Sequence, residues 1–408
     1  MADTVSTNHT EPNSVDPSLI EFCRSLGRTE DLAYSPSGRR LALVAFRHES
    51  IGLVEFAHGD DEPVHAVELT TPLMRHPHGV DFLDDDTLVV ANRHGSVDFF
   101  RIQVGAGGAP VALIHLDAGS AFAGISSPGS VEVARRHADG SEILVCDNRG
   151  NDVTAHRVEV AGDRVEVSST RIVEDRHIDM PDGVASHGST VGVSNHYHHL
   201  VLLYDRAGLD AGDQSPRAIL RGCWYPHGLC FTPDGANLLV ADAGSPNVFL
   251  YERGSDEWRG TYYPTRLVRV TTDEKVESVP GAEEGGPKGI AIDPSGTVAA
   301  VTSETVPLDL IDVQRLVDGT IGETFDSEVQ FNYESLVLES MANRQNALET
   351  ARTAARNRPL SKLSRGPAWI RYQRKLRAAE KRRAERGDGT IRPALGGPET
   401  PQNRPADT

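Results

Sequence analysis

Short apolar runs that alternate with polar positions, each closed by a cluster of turn residues, recur six times between Asp31 and Val313. The copies begin DLAYSPSGRRLALVAF at Asp31, HGVDFLDDDTLVVANR at His78 and GSVEVARRHADGSEILVCDNRG at Gly129, and then DGVASHGSTVGVSNHYHH at Asp182, HGLCFTPDGANLLVADAG at His227 and KGIAIDPSGTVAAVTSE at Lys288. Alternation over four to six residues is the mark of a half-buried strand, and SPSG, LDDD, HADG, TPDG and DPSG are tight-turn sequences. Each copy therefore predicts an inner strand, a hairpin, a second strand, a loop and a third strand. A fourth, outer strand is expected to follow, for example over residues 111–116 and 266–270. Six units of about 45 to 60 residues predict an all-β fold, a six-bladed β-propeller. No fourth strand is evident after Val313, so residues 19–26 are expected to complete the last blade and close the ring, which removes exposed sheet edges.

Beyond about residue 326 the pattern turns helical. Residues 327–358 are rich in Glu, Ala, Leu, Asn and Arg, and residues 368–386 set Trp369, Ile370, Tyr372 and Leu376 beside a dense basic face. The expected organisation is a disordered start (1–17), the propeller (18–325), a basic α-helical extension (326–386) and a disordered tail (387–408). Charge separates along the same line: residues 1–340 carry 25 Lys/Arg against 53 Asp/Glu, and residues 341–408 carry 16 against 6. An acidic propeller repels a phosphate backbone, so no nucleic acid is expected there. The basic extension suits an acidic protein or an anionic membrane, or packing against the propeller itself. Four scattered cysteines without a CxxC pair, no signal-peptide core and no apolar run of bilayer length point to a cytoplasmic protein.

Blade geometry decides which residues share a surface. The first strand starts at one mouth of the channel and the second strand returns to it, so two sequence positions per blade meet there. The strand-opening positions are Asp31, His78, Ser130, Asp182, His227 and Lys288, three of them in the context Pro-His/Asp-Gly. Two imidazoles and a carboxylate, His78, His227 and Asp182, form a candidate site for a divalent metal ion, calcium or zinc. The second-strand loops add Arg93, His94, Arg149 and the run His196–His199. With His48, His76, His78 and His227, eight of sixteen histidines fall at this mouth. His76, His196, His198 and His199 are candidate proton-transfer groups, and Lys288 either repels a metal or holds a substrate carboxylate. Asn92, Asn148, Asn195 and Asp242, at second-strand ends, are expected to cap turns. A purely structural role for the polar ring, as hydrogen-bonding partners in a solvated tunnel, stands beside the catalytic one.

The PHG and PDG openings with (V/L)VAD-like second strands resemble NHL-repeat and gluconolactonase-type propellers over about residues 28–315. The resemblance implies Asp182 as a lactonase-like cation ligand, and His78 and His227 as zinc ligands like those of the NHL-type amidating lyase. The chain departs from both: no Asn precedes Gly, Ser130 opens the third blade, and Lys288 puts a cation in the ring. No G-x-S-x-G elbow or phosphate loop is present, so hydrolysis would be metal-assisted. Two functions are therefore expected to compete. One is a metal-dependent hydrolase of lactonase or esterase type, or a lyase, acting on a small polar metabolite. The other is a non-catalytic scaffold that binds a protein partner or ligand at the channel mouth, with the basic helix as a tether.

Overall fold

The computed structural model describes residues 16–57, 63–254, 257–279 and 284–325. Six sheets stand round one axis. Blade 1 comprises strands Thr29–Tyr34, Arg40–Ala45, Ser50–Phe56 and Pro63–Thr70; blade 2 comprises Pro77–Asp84, Thr87–Asn92, Val97–Val104 and Pro110–Leu116. Blade 3 has Pro128–His137, Gly140–Asp147, Asp152–Ala161 and Arg164–Glu174. Blade 4 has Pro181–His187, Thr190–Asn195, Leu200–Asp205 and Ala218–Leu220, and blade 5 has Pro226–Phe231, Asn237–Asp242, Asn247–Glu252 and Arg266–Arg269. Blade 6 keeps three, Gly289–Ile292, Val298–Thr302 and Asp309–Asp312. Every inner strand lies against the inner strands of both neighbours, and that of blade 1 touches those of blades 2 and 6, which closes the circle.

The repeated turns take one form. In Ser35-Pro36-Ser37-Gly38, Thr232-Pro233-Asp234-Gly235 and Asp293-Pro294-Ser295-Gly296 the glycine N–H donates to the carbonyl of the first residue, and each glycine has positive φ, between 66° and 80°. Proline presets the second position of such a turn, and glycine takes the left-handed one without steric cost.

Residues 19–26 do not form the expected strand. Pro17–Ser25 is an α-helix: the Asp16 carboxylate accepts from Ser18 N–H at 2.8 Å, and Pro17 occupies the first turn. Leu19, Cys23 and Leu26 fall on one face at helical spacing and pack with Leu41, Leu43 and Val54 of blade 1 and with Ala300 and Leu308 of blade 6. A helix thus seals the last seam by apolar burial where an added strand would have sealed it by hydrogen bonds. Two short crossings lace the neighbouring blades: Gly260–Tyr262 pairs in parallel with Ala218–Leu220, and Glu323–Thr324 pairs with Arg266–Arg269. Six apolar clusters of buried residues account for the core, each drawn from adjoining elements. The expected basic helical extension, 326–386, and the tail beyond it lie outside the described residues.

Candidate functional site

Strand register identifies equivalent positions in the blades. Pro77, Pro128, Pro181 and Pro226 pair with Asn92, Asp147, Asn195 and Asp242, and Thr29 pairs with Ala45 in the same way. A register shift follows at once in each case, so the next residue leaves the ladder and heads a blade at the axis. Those residues are Glu30, His78, Gly129, Asp182 and His227, with Lys288 after Pro287 completing the ring. The expectation was off by one residue in two blades. Asp31 gives way to Glu30, because Thr29 stands where other blades have proline, and Ser130 gives way to Gly129. Gly129 leaves a gap that Asn148 fills: a Cβ there would sit 1.6 Å from Asn148 Oδ1. Asp31 instead accepts from Val80 N–H on the next inner strand at 3.2 Å.

The three residues expected to share a ligand do meet. His227 Nε2 lies 3.4 Å from Asp182 Oδ2 and 3.7 Å from Glu30 Oε2. His78 Nε2 is 3.6 Å from the same Glu30 oxygen, and the two imidazoles stack with centroids 5.3 Å apart. His78 Nδ1 donates to the Gly129 carbonyl at 2.6 Å, which leaves the Nε2 lone pair facing Glu30. His227 Nε2 is buried with no hydrogen-bond partner among the described residues. Lys288, only 2% exposed, donates to Glu30 at 2.9 Å and also pairs with Glu284, while Arg28 bridges the same two glutamates.

A second tier comes from the residue after the second strand in blades 1 to 5: Phe46, Arg93, Asn148, His196 and Ala243. Each of these N–H groups donates to the residue two places before the ring position, namely Arg28, His76, Ser127, Met180 and Tyr225. Three members converge on Asp182. Arg93 Nη2 donates to Oδ1 at 3.2 Å, Asn148 Nδ2 donates to the same oxygen, and His196 Nδ1 lies 3.8 Å from Oδ2. Asn148 is therefore not a turn cap. Asp147 takes that duty, accepting from Ser126, Ser127 and Gly150 N–H, whereas Asn92, Asn195 and Asp242 cap as expected, from Arg75, Asp179 and Trp224 N–H.

Burial sets the protonation states. It drives His78 down to about 3 and His196 down to about 4, and it lowers His227 as well, so all three are neutral near pH 7. Burial alone would raise Glu30, but Lys288 and Arg28 are among the groups that hold it below the usual carboxylate range. Burial likewise opposes ionisation of Asp182, and its surroundings of His227, His78 and Arg93 outweigh it.

The remaining candidates lie farther out. His76 is at the rim, about a third exposed, with its Nδ1 3.2 Å from His94 Nδ1 and 3.1 Å from Glu49; Phe46 stands between it and His78. His198 is half-buried beside Asn195, and His199 is buried, its Nδ1 accepting from Tyr225 N–H at 3.2 Å across the seam between blades 4 and 5. Among the described residues six non-glycines have positive φ: Glu49, His76, Asn151, Met180, His199 and Tyr225. Each immediately precedes a first or third strand, so all six lie at this one mouth, where backbone strain is retained because the surroundings over-determine it. Glu30 was absent from the sequence reading. Its signal was available: each ring residue is the one after a proline or, in blade 1, after the threonine that takes the proline's place.

No protein-family model and no curated protein matches the chain. Solved structures that resemble it include Sqt1 from Chaetomium thermophilum, at 12% identity over 71% of this chain and 70% of that one, with a TM-score of 0.41. A functionally unknown protein from Desulfotomaculum acetoxidans shares 12% identity over 70% and 83%, with a TM-score of 0.43, and hydrazine synthase from Kuenenia stuttgartiensis 14% over 71% and 96%, with a TM-score of 0.42. Likenesses this distant carry no argument about lineage or reaction. No described helix is long and apolar enough to cross a membrane. Six sheets in a closed circle, with their strand starts gathered at the axis, make the described chain a six-bladed β-propeller.

Proposed function

We propose that the axial ring is the active centre of a metal-dependent hydrolase acting on a small lactone or ester, with His78, His227, Glu30 and Asp182 as the metal-holding set. The carrying observation is the orphaned His227 Nε2, set between Asp182 and Glu30, with His78 Nε2 against the same Glu30 oxygen. Separations of 3.4 to 3.7 Å fit a tetrahedral site, because bonds of about 2.0–2.1 Å put neighbouring ligand atoms about 3.3 Å apart. Two neutral imidazoles favour zinc over calcium, which prefers six or more oxygens. When bound, the ion would polarise a carbonyl and acidify water. The protein's own groups do the rest. The Gly129 carbonyl fixes the His78 tautomer, Arg93 and Asn148 orient Asp182, and Lys288 holds Glu30. His196 is the preferred proton carrier over His76, His198 and His199, since it stands 3.8 Å from Asp182 of the ring: with Nδ1 donating to the Pro226 carbonyl at 3.1 Å, its Nε2 is left to accept. Lyase chemistry would use the same groups.

One observation favours the alternative, a propeller that binds without catalysis. Lys288, Arg28 and Arg93 already match the charges of Glu30, Glu284 and Asp182, so the ring is balanced as it stands. Elemental analysis of the full chain purified with zinc separates the two. The hydrolase reading expects about one zinc per chain, lost in H78A/H227A together with hydrolysis of a lactone and ester panel. Zinc below about a tenth of an equivalent in the wild type, unchanged in the double variant, overturns it.

A further inference from the structure

We infer that the mouth above the ring binds a small aromatic carboxylate, its anionic end on the blade 2–3 side and its planar end on the blade 4–5 side. This rests on the reading of the ring as a ligand site and names the class of ligand that enters it.

The two sides of the mouth differ in kind. On the blade 2–3 side Arg75, Arg149 and His94 are exposed, and Arg75 and Arg149 form no ion pair among the described residues. Arg93 links this arc to the ring through Asp182, with its side chain 19% exposed. Arg149 and Arg93 lie close enough to act on His94: after burial, His76, Arg149 and Arg93 are the groups that push its pKa down, against Glu49, so His94 is neutral near pH 7 and the arc's positive charge is that of its arginines. Within a propeller segment whose formal charge is strongly negative, such an arc is a local positive field, and a mouth with low-dielectric walls focuses it on an arriving anion. Guanidinium groups take a carboxylate in planar, bidentate fashion.

The blade 4–5 side is aromatic. Tyr197 and Tyr225 are half-buried with centroids 6.4 Å apart, Trp224 stacks on Tyr225 at 5.8 Å, and His196 lies 5.4 Å from Tyr197 and 5.1 Å from Tyr225. Tyr225 holds a left-handed backbone, φ 63°, at the residue before Pro226. Aromatic rings pack edge-to-face or offset at 4.5–7 Å, the spacing already present here, so a planar guest would extend the cluster by the same geometry. The two sides join at Asp182, which contacts Arg93 on one side and His196 on the other. An ion with separate charged and aromatic ends matches both; acetate or an uncharged arene matches only one.

Titration calorimetry of the full chain with benzoate, cyclohexanecarboxylate, benzyl alcohol and acetate tests this, on zinc-loaded and on chelator-treated protein. Benzoate is expected to bind at least about tenfold tighter than each of the other three in both preparations. R149Q is expected to weaken benzoate about fivefold or more and to leave benzyl alcohol unchanged. Y225N, chosen because asparagine tolerates the left-handed backbone, is expected to erase the preference for benzoate over cyclohexanecarboxylate. Equal affinity for the four probes, or no benzoate binding below about 10 mM, overturns the inference. Because the chelated protein is part of the design, benzoate binding to a wild type that takes up less than about a tenth of an equivalent of zinc would sink the hydrolase reading and leave this one standing.

Discussion

The seams between blades and the ring at the axis are buried alike, yet they are built from opposite materials. Between blades 4 and 5, Phe249, Tyr251, Val240 and Leu238 are fully buried among other apolar side chains. At the axis, Glu30 and Lys288 are 0% and 2% exposed, and the only gains available there are hydrogen bonds and ion pairs. Burying apolar area stabilises at roughly 25 cal/mol per Å² whatever the exact partner. Burying an ion pair costs desolvation that its attraction only offsets when the geometry is good. The seams therefore hold the ring in place, and the ring contributes little stability of its own. The three carboxylates, three cations and three neutral histidines at the centre are therefore the part of the fold to which the proposed metal site would give a role.

The comparison can be broken most severely at a seam. Phe249→Ala removes a ring that packs at 5.9 Å against Phe325 and should cost about 3–5 kcal/mol in denaturant unfolding. At the axis, Lys288→Met leaves Glu30 buried with Arg28 as its remaining permanent cation, and should cost about 3 kcal/mol, the lower end for a broken buried pair. Adding Glu30→Met to that variant is expected to restore most of the loss, and if the double variant is no more stable than the single one, the ring is a stabilising feature after all. The smallest effect is a pH slope. Asp31 is raised to about 8, first by burial, against the two backbone N–H groups that it accepts. A carboxyl raised in the folded state adds stability below its unfolded value, and that stability is lost as pH rises through the folded one. The buried histidines, whose folded values are lowered, give the opposite slope near pH 6.5, where the unfolded imidazoles still carry protons, and from about pH 7.5 upward they are neutral in both states and add almost none. Melting temperature should therefore fall gently from about pH 7.5 to 8.5, and the fall should shrink in Asp31→Asn.

Much of this was legible beforehand. Alternating runs, proline-glycine turns and the Pro-His/Asp-Gly openings announced six blades and brought His78, Asp182 and His227 to one place, since every blade reports its own strand start locally. Other parts were misread because a local signal was passed over. Asp16-Pro17 is a helix start, and Leu19, Cys23 and Leu26 are one helical face, yet the need for a fourth strand in blade 6 drew residues 19–26 into the sheet. Glu30 was missed because it precedes an aspartate in the glycine's place, and only the strand register separates the two.

The repeat along the chain determined how many blades there are and which short segments face the axis, because strand and turn preferences act over a few residues. Only the closed circle decided that Lys288 would neutralise a glutamate 258 positions away, and that Asn148 would occupy the space left by Gly129 and reach Asp182 in the next blade. Such pairings depend on register shifts and on the angle between sheets, quantities that exist only after all six blades have packed.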